Sequence, residues 1–303
     1  MPTQPVSFTL ALAGGGAKCA AHAGVLAAFE EAQLPVSAIA GVSAGGLVAV
    51  LYGLGLSPAA IRDYVAGTNL LDVWEMDLTR RAIFGVERVR AHVRAAAGDK
   101  TFADLRFPVV VIAADLRTGR EVRLRTGRLD EALLATMAIP GIFTPIAREG
   151  LTLVDGGIVN PLPVDAARAL GSPVVAVDLL YHGAPTGEST QLFEARGPMR
   201  YATELARRLQ LTGIMDSAHQ AALISAHRLV EYSLNAAPPD VLLRPEAGRV
   251  GLFAFDLAGY AFQQGRAAAG LAMPQLQALA HPPAPEWQTR LSRLWRQVWP
   301  ARK

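Results

Sequence analysis

The segment Gly41-Val42-Ser43-Ala44-Gly45 constrains this chain more than any other. It lies between a short apolar run, Val36 to Ala40, and the stretch Leu47-Val-Ala-Val-Leu-Tyr52, which is apolar all round. The first reads as a strand, the second as a helix packed in the middle of a core. A serine on a tight strand-to-helix turn needs small neighbours on both sides, because the backbone there is strained and closely packed. Such a turn exposes the hydroxyl at a helix N-terminus, where the dipole favours developing negative charge. With 28 glycines in the chain a G-x-S-x-G alone says little, and the strand before it and helix after it carry the weight.

The rest of the sequence continues the alternation of strand and helix. Val6 to Ala13 is apolar without polar alternation and reads as a strand buried on both faces. A small-residue helix follows from about Lys18 to Ala32, and Ser57-Pro58 opens another as N-cap and first helical position. Val86 to Ala97 has helical spacing with Arg88, Arg90 and Arg94 outside. Pro108 to Ala114 is a strand that ends in Asp115, and Arg117-Thr-Gly-Arg turns it into a short partner, Glu121 to Leu124. Helices are expected at Leu129 to Ala138 and Val164 to Leu170. Strands are expected at Leu151 to Val154, Val174 to Val177 and Val241 to Leu243. The expected fold is α/β, a mainly parallel central sheet with helices on both faces in three layers. At 303 residues one large domain, 1–284, accounts for the chain up to a C-terminal helix, 285–303.

Gly14-Gly15-Gly16 follow the first strand directly. Consecutive glycines let backbone N–H groups point at an anion, either a phosphate or the oxyanion of a tetrahedral intermediate. Phosphate-binding patterns fail in detail: Lys18 is not preceded by Gly, and Cys19 stands where a Ser, a Thr or the last glycine of a dinucleotide loop would be. Three aspartates, Asp115, Asp155 and Asp178, end expected strands, the edge where parallel sheets place their sites. Gly156-Gly157 mark Asp155 as the one built for close approach, and the other two read as turn or helix caps. An ordinary carboxyl is a poor base near neutral pH, so Asp155 needs burial to raise its pKa. Histidine is the usual base for serine, but His22 reads as a packed or capping residue and His219 and His227 have no visible third partner. A Ser-His-Asp hydrolase would also place several strands before its nucleophile, whereas this serine arrives at residue 43.

Taken together, GGGAKCAAHAGVL at 14–26, GVSAGG at 41–46, AIPGIFTPI at 138–146 and VDGGIVNPLPV at 154–164 resemble the patatin-like phospholipase family. The resemblance covers roughly residues 6–180. It implies a Ser–Asp dyad without histidine: Ser43 attacks the ester carbonyl, Asp155 takes and returns the proton, and the Gly14–Gly16 loop holds the oxyanion. Lys18, Gly41, Gly45, Gly156 and Gly157 support these motifs. No metal or cofactor is implied, and the sequence shows no ligand cluster. The chain departs from the family at Cys19, where Gly is usual, which leaves Cys19 itself as a minor alternative nucleophile. The resemblance implies a lipid or ester substrate. Short-chain esterase, thioesterase or transacylase action on the same machinery remains open, as does a lipid-binding module that has lost turnover.

Of 29 basic and 26 acidic residues, five and one lie between Glu286 and Lys303. The remaining 24 and 25 leave the body neutral, without electrostatic support for nucleic-acid binding. In the tail Trp287, Leu291, Leu294, Trp295 and Val298 share one helical face and Arg290, Arg293 and Arg296 the other. It reads either as a terminal helix docked on the core or as an interfacial helix held to anionic lipid. One cysteine excludes an internal disulfide, and no Lys or Arg precedes the first apolar run as a signal peptide requires. A cytoplasmic, at most peripherally membrane-bound protein is expected. Residues 68–84 and 182–197 are candidate lids by length and composition. Oligomeric state is not legible.

Overall fold

The computed structural model describes residues 5–68, 85–181 and 211–282; both candidate lids, apart from Thr68, and the tail after 284 lie outside them. The apolar runs form one eight-stranded sheet. Its strands are β1 (Phe8–Leu12), β2 (Val36–Val42), β3 (Val109–Asp115), β4 (Glu121–Leu124), β5 (Ile146–Arg148), β6 (Leu151–Asp155), β7 (Val174–Val177) and β8 (Val241–Leu243). The order across the sheet is β5-β6-β3-β2-β1-β7-β8, with β4 also paired to β3. From β3 to β8 every pairing is parallel, while β4, β5 and β6 join antiparallel.

The helices are α1 (Ala20–Glu31), α2 (Ala44–Gly53), α3 (Pro58–Ala66), α4 (Glu87–Ala97), α5 (Leu129–Met137), α6 (Val164–Leu170), α7 (Leu211–Ala236) and α8 (Ala258–Ala280). The two-residue period of the strands sorts their side chains between two cores. Leu10, Leu12, Ile39, Val109, Val111, Val175 and Val177 face one core, which α1, α2, α3, α5 and α8 complete. Ala11, Ala13, Ala40, Val42, Val110, Ile112, Val174 and Ala176 face the other, filled by α6 and by Val230 of α7. Burial on both sides is why these strands read as unbroken apolar runs.

Helices α1 and α8 cross with almost nothing between them. A Cβ on Gly24 would lie 1.9 Å from the Phe262 carbonyl oxygen, and one on Gly265 would lie 1.9 Å from that of Ala21. Each glycine lets the other helix's backbone through, which is the reason for the small-residue composition of α1.

The sequence reading misses two features. Strand β5 was not expected, because its three residues are too few for a period to show. Strand β6 was expected, but not its direction: it runs antiparallel to β3, so Asp155 is not at the edge where the parallel strands end by virtue of being a strand C-terminus. The register shows how it arrives instead. Val111 and Ile112 pair with β2 on one side and β4 on the other, while Ala113 and Ala114 pair with β4 and β6. Strands β2 and β6 therefore occupy the same edge of β3 and approach each other head to head. Strand β2 stops at Val42 opposite Ile112, and β6 stops at Asp155 opposite the next residue, Ala113.

Candidate active site

Ser43 follows β2 with φ 53° and ψ −129°, a conformation that a residue with a Cβ adopts only when its surroundings enforce it. The flanking glycines are required by close approach. A Cβ on Gly41 would lie 2.6 Å from the Gly45 carbonyl oxygen, and one on Gly45 would lie 2.5 Å from those of Ala13 and Leu12. Helix α2 starts at the next residue, so the Ser43 hydroxyl sits at the positive end of a buried helix. The Ser43 N–H donates to Thr136 Oγ1 at 2.7 Å, and the Thr136 hydroxyl donates in turn to the Ile112 carbonyl.

Asp155 is brought beside Ser43 by the meeting of β2 and β6. Its N–H donates to the Ala138 carbonyl at 2.9 Å, and its Oδ1 accepts from the Gly157 N–H at 2.7 Å. Gly156 must lack a side chain, since a Cβ there would lie 2.4 Å from the Ile112 carbonyl oxygen. Burial pushes the Asp155 carboxyl up to about 6, against the pull of hydrogen bonding from the Ser43 hydroxyl and the Gly157 N–H. A carboxylate in this setting is a far better proton acceptor near neutral pH than one in water.

The three glycines after β1 are not equivalent. Gly14 is packed against the serine, its Cβ position 3.3 Å from Ser43 Cβ, and its N–H donates to the Pro161 carbonyl at 3.3 Å. The N–H groups of Gly15 and Gly16 have no acceptor among the described residues. Gly15 has φ 158° and Gly16 φ 57°, and a Cβ on Gly16 would lie 2.3 Å from the Leu252 carbonyl oxygen. The oxyanion reading thus narrows from Gly14–Gly16 to Gly15 and Gly16, because the Gly14 amide is engaged. Lys18 lies behind this loop, and its ammonium is lowered to about 8 by burial, partly offset by the Asp178 carboxylate.

The remaining candidates are structural. Asp115 accepts from Thr118 Oγ1 at 2.7 Å and from the Thr152 N–H at 3.1 Å, capping the β3–β4 turn. Asp178 accepts from the Leu180 and Tyr181 N–H groups, a turn cap after β7. His22 is buried in α1 with Nε2 2.8 Å from the Ala13 carbonyl oxygen, to which it donates. Burial lowers it to about 4, so it is neutral and holds the backbone that leads into the glycine loop. Cys19 is poorly suited to attack: its thiol is buried and pushed up to about 12 by that burial. It takes φ −58° and ψ −20°, an ordinary helical conformation, so the usual glycine is not needed there.

Thr136 and Leu252 escaped the sequence reading. Thr136 is a buried hydroxyl that follows the small and apolar run Ala132 to Ala135 in its helix, and that mismatch is the signal that could have found it. Leu252 and Phe253 pack with Ile139, Ile142 and Phe143 in a third, small apolar cluster that borders the glycine loop through Leu252.

A family model described as patatin-like phospholipase matches residues 10–168. The chain is 30% identical over 277 residues to an uncharacterized NTE family protein of Mycobacterium tuberculosis, a match covering 88% of this chain and 46% of that protein. It is also 30% identical over 182 residues to patatin-like phospholipase domain-containing protein 6 of Mus musculus, covering 57% of this chain and 13% of that one. The chain thus spans less than half the length of these two relatives. Among solved structures, VipD from Legionella pneumophila aligns over 87% of this chain and 68% of its own, with 12% identity and a TM-score of 0.48.

Proposed function

The chain belongs to the patatin-like phospholipase family, and from that premise we propose that it is a serine acyl-hydrolase that cleaves lipid-type carboxylic esters at Ser43. The observation that carries this reading is the pairing of a serine on a strained turn with a buried carboxyl raised to about 6 beside it. In the first half-reaction Ser43 Oγ attacks the ester carbonyl carbon while the Asp155 carboxylate takes the hydroxyl proton. The carbonyl oxygen becomes an oxyanion, received by the N–H groups of Gly15 and Gly16 and favoured by the N-terminus of α2. The intermediate collapses by breaking the bond to the leaving alcohol, which receives the proton from Asp155, and the acyl group stays on Ser43. Water then repeats the sequence: Asp155 takes its proton, the acyl–serine bond breaks, and the proton returns to Ser43.

His22 has no part in this scheme, since it donates to a carbonyl inside the core. The apolar cluster of Ile139, Ile142, Phe143, Leu252 and Phe253 beside the glycine loop favours an acyl group that is itself apolar.

Hydrolysis of p-nitrophenyl esters of graded chain length tests the proposal, with wild type beside Ser43→Ala and Asp155→Asn. Each variant is expected to lose about a thousandfold or more in kcat, as removal of a nucleophile or its base does elsewhere. Activity should rise with acyl length. Full activity in Ser43→Ala, or none on any ester in wild type, would overturn the reading in favour of a binding module. A preference for the shortest ester, or turnover that depends on an acceptor alcohol or thiol, would move it to a short-chain esterase or transacylase.

A further inference from the structure

The parallel ladder between β2 and β3 has a fixed rhythm, and it breaks at one place. Ile39 is paired with Val109 and donates its N–H to the Pro108 carbonyl, one residue earlier, at 3.1 Å. In a parallel ladder the donors on one strand recur every second residue. After Ile39 and Gly41 the next donor is therefore Ser43, and its acceptor is the Ile112 carbonyl. That rung is not made directly. The Ser43 N–H donates to Thr136 Oγ1, and the Thr136 hydroxyl donates to the Ile112 carbonyl. One side-chain oxygen from α5 is inserted into a backbone hydrogen bond. It satisfies both ends of the missing rung and holds them apart by the length of an added hydrogen bond.

The position of this insertion gives it a consequence. It lies where β2 must leave β3, between the last pair, Val42 with Ile112, and the point where β6 enters the same edge at Ala113 with Asp155. Two residues beyond Thr136, the Ala138 carbonyl accepts the N–H of Asp155. The three residues from Thr136 to Ala138 thus touch the backbone of both partners, which come from strands running in opposite directions. Thr136 is fully buried, so no water competes for its hydroxyl, and its methyl lies 3.4 Å from the Cβ position of Gly46 at the start of α2.

We propose that Thr136 is a positioning residue for the reaction at Ser43: its hydroxyl replaces a strand–strand hydrogen bond, and so fixes both the strained serine and the gap into which Asp155 fits. The inference rests on Ser43 being the nucleophile. It assigns Thr136 no contact with substrate.

The test compares Thr136→Val, Thr136→Ser and Thr136→Ala with wild type and Ser43→Ala in p-nitrophenyl ester hydrolysis, each variant's fold checked by circular dichroism and thermal melting. Valine keeps the shape and removes the hydroxyl; serine keeps the hydroxyl and removes the methyl. Thr136→Val is expected to lose about a hundredfold in kcat, the scale of a displaced reacting group, with KM within about threefold of wild type. Its labelling by a fluorophosphonate should slow in parallel. Thr136→Ser should stay within about threefold of wild type in kcat, and Thr136→Ala should fall well below it. A folded Thr136→Val with wild-type kcat overturns the proposal. So does a Thr136→Ser that falls as far as Thr136→Ala, and this second comparison decides the matter if the valine variant does not fold. Full activity in Ser43→Ala marks a different failure, that of the nucleophile assignment itself.

Discussion

Asp155 sits where its charge is costly and its basicity is useful. Burial lifts its carboxyl from the ordinary range to about 6, and the Ser43 hydroxyl and Gly157 N–H restrain the rise. Its base form exists above that value, so kcat/KM for an uncharged ester should rise with pH and level off above an apparent pKa of about 6. A pH–rate profile checks this; a limb near the pKa of a free aspartate would show that the acting carboxyl is not the buried one. At this scale the sequence was informative about kind and silent about contact. The close approach expected beside Asp155 is found at Gly156, against the Ile112 carbonyl, and the strained turn at Ser43 was legible from its glycines. Thr136 was not, because its bond to Ser43 spans 93 positions of chain. His22 was read as a packed or capping residue, but its acceptor, the Ala13 carbonyl just after β1, was not legible.

Elements are held at distances that single glycines decide. Replacing Gly by Ala within a helix is ordinarily favourable by about 1 kcal/mol. At Gly24 and Gly265 the sign should reverse, because a methyl group would meet a carbonyl of the opposite helix 1.9 Å away and push α1 from α8. Gly24→Ala and Gly265→Ala are each expected to cost on the order of 3 kcal/mol, a fall in Tm of several degrees. Gly270→Ala is the control, with open space around it on the same helix α8, and should be neutral or mildly stabilising. Thermal melting of the three variants reads the difference directly. Strands of the parallel body were legible because burial on both faces leaves a continuous apolar run. The antiparallel part was not: β5 has three residues, and nothing in Leu151–Asp155 encodes which way β6 runs.

The whole molecule carries two of its buried titratable groups, His22 and Asp155, as opposing terms in its stability. His22 is lowered to about 4 by burial, so its contribution is present at neutral pH and is lost as pH falls from its unfolded value of 6.5 towards 4. Asp155 is raised to about 6, so its contribution is present in acid and is lost as pH rises from 3.8 through 6. Acidification across that window weakens one and strengthens the other. Asp155→Asn removes only the second. That variant should melt several degrees above wild type at pH 7, for a gain on the order of 2 kcal/mol, and lose the advantage near pH 4. Melting curves at the two pH values check it, and a variant no more stable than wild type at pH 7 would mean that the carboxylate is better accommodated than its burial suggests.

The head-to-head meeting of β2 and β6 has a last consequence. One member of the proposed dyad follows β2, a strand flanked by β1 and β3, and the other ends β6, part of a short antiparallel pair with β5. Ile146 of β5 and Leu153 of β6 pack into the larger core, and a shift of β6 by two residues along β3 would carry Asp155 about 7 Å from the serine. Turnover therefore works as a gauge of one seam in the sheet. A preparation can keep its helices, its mass and most of its melting enthalpy and still have let that seam come apart.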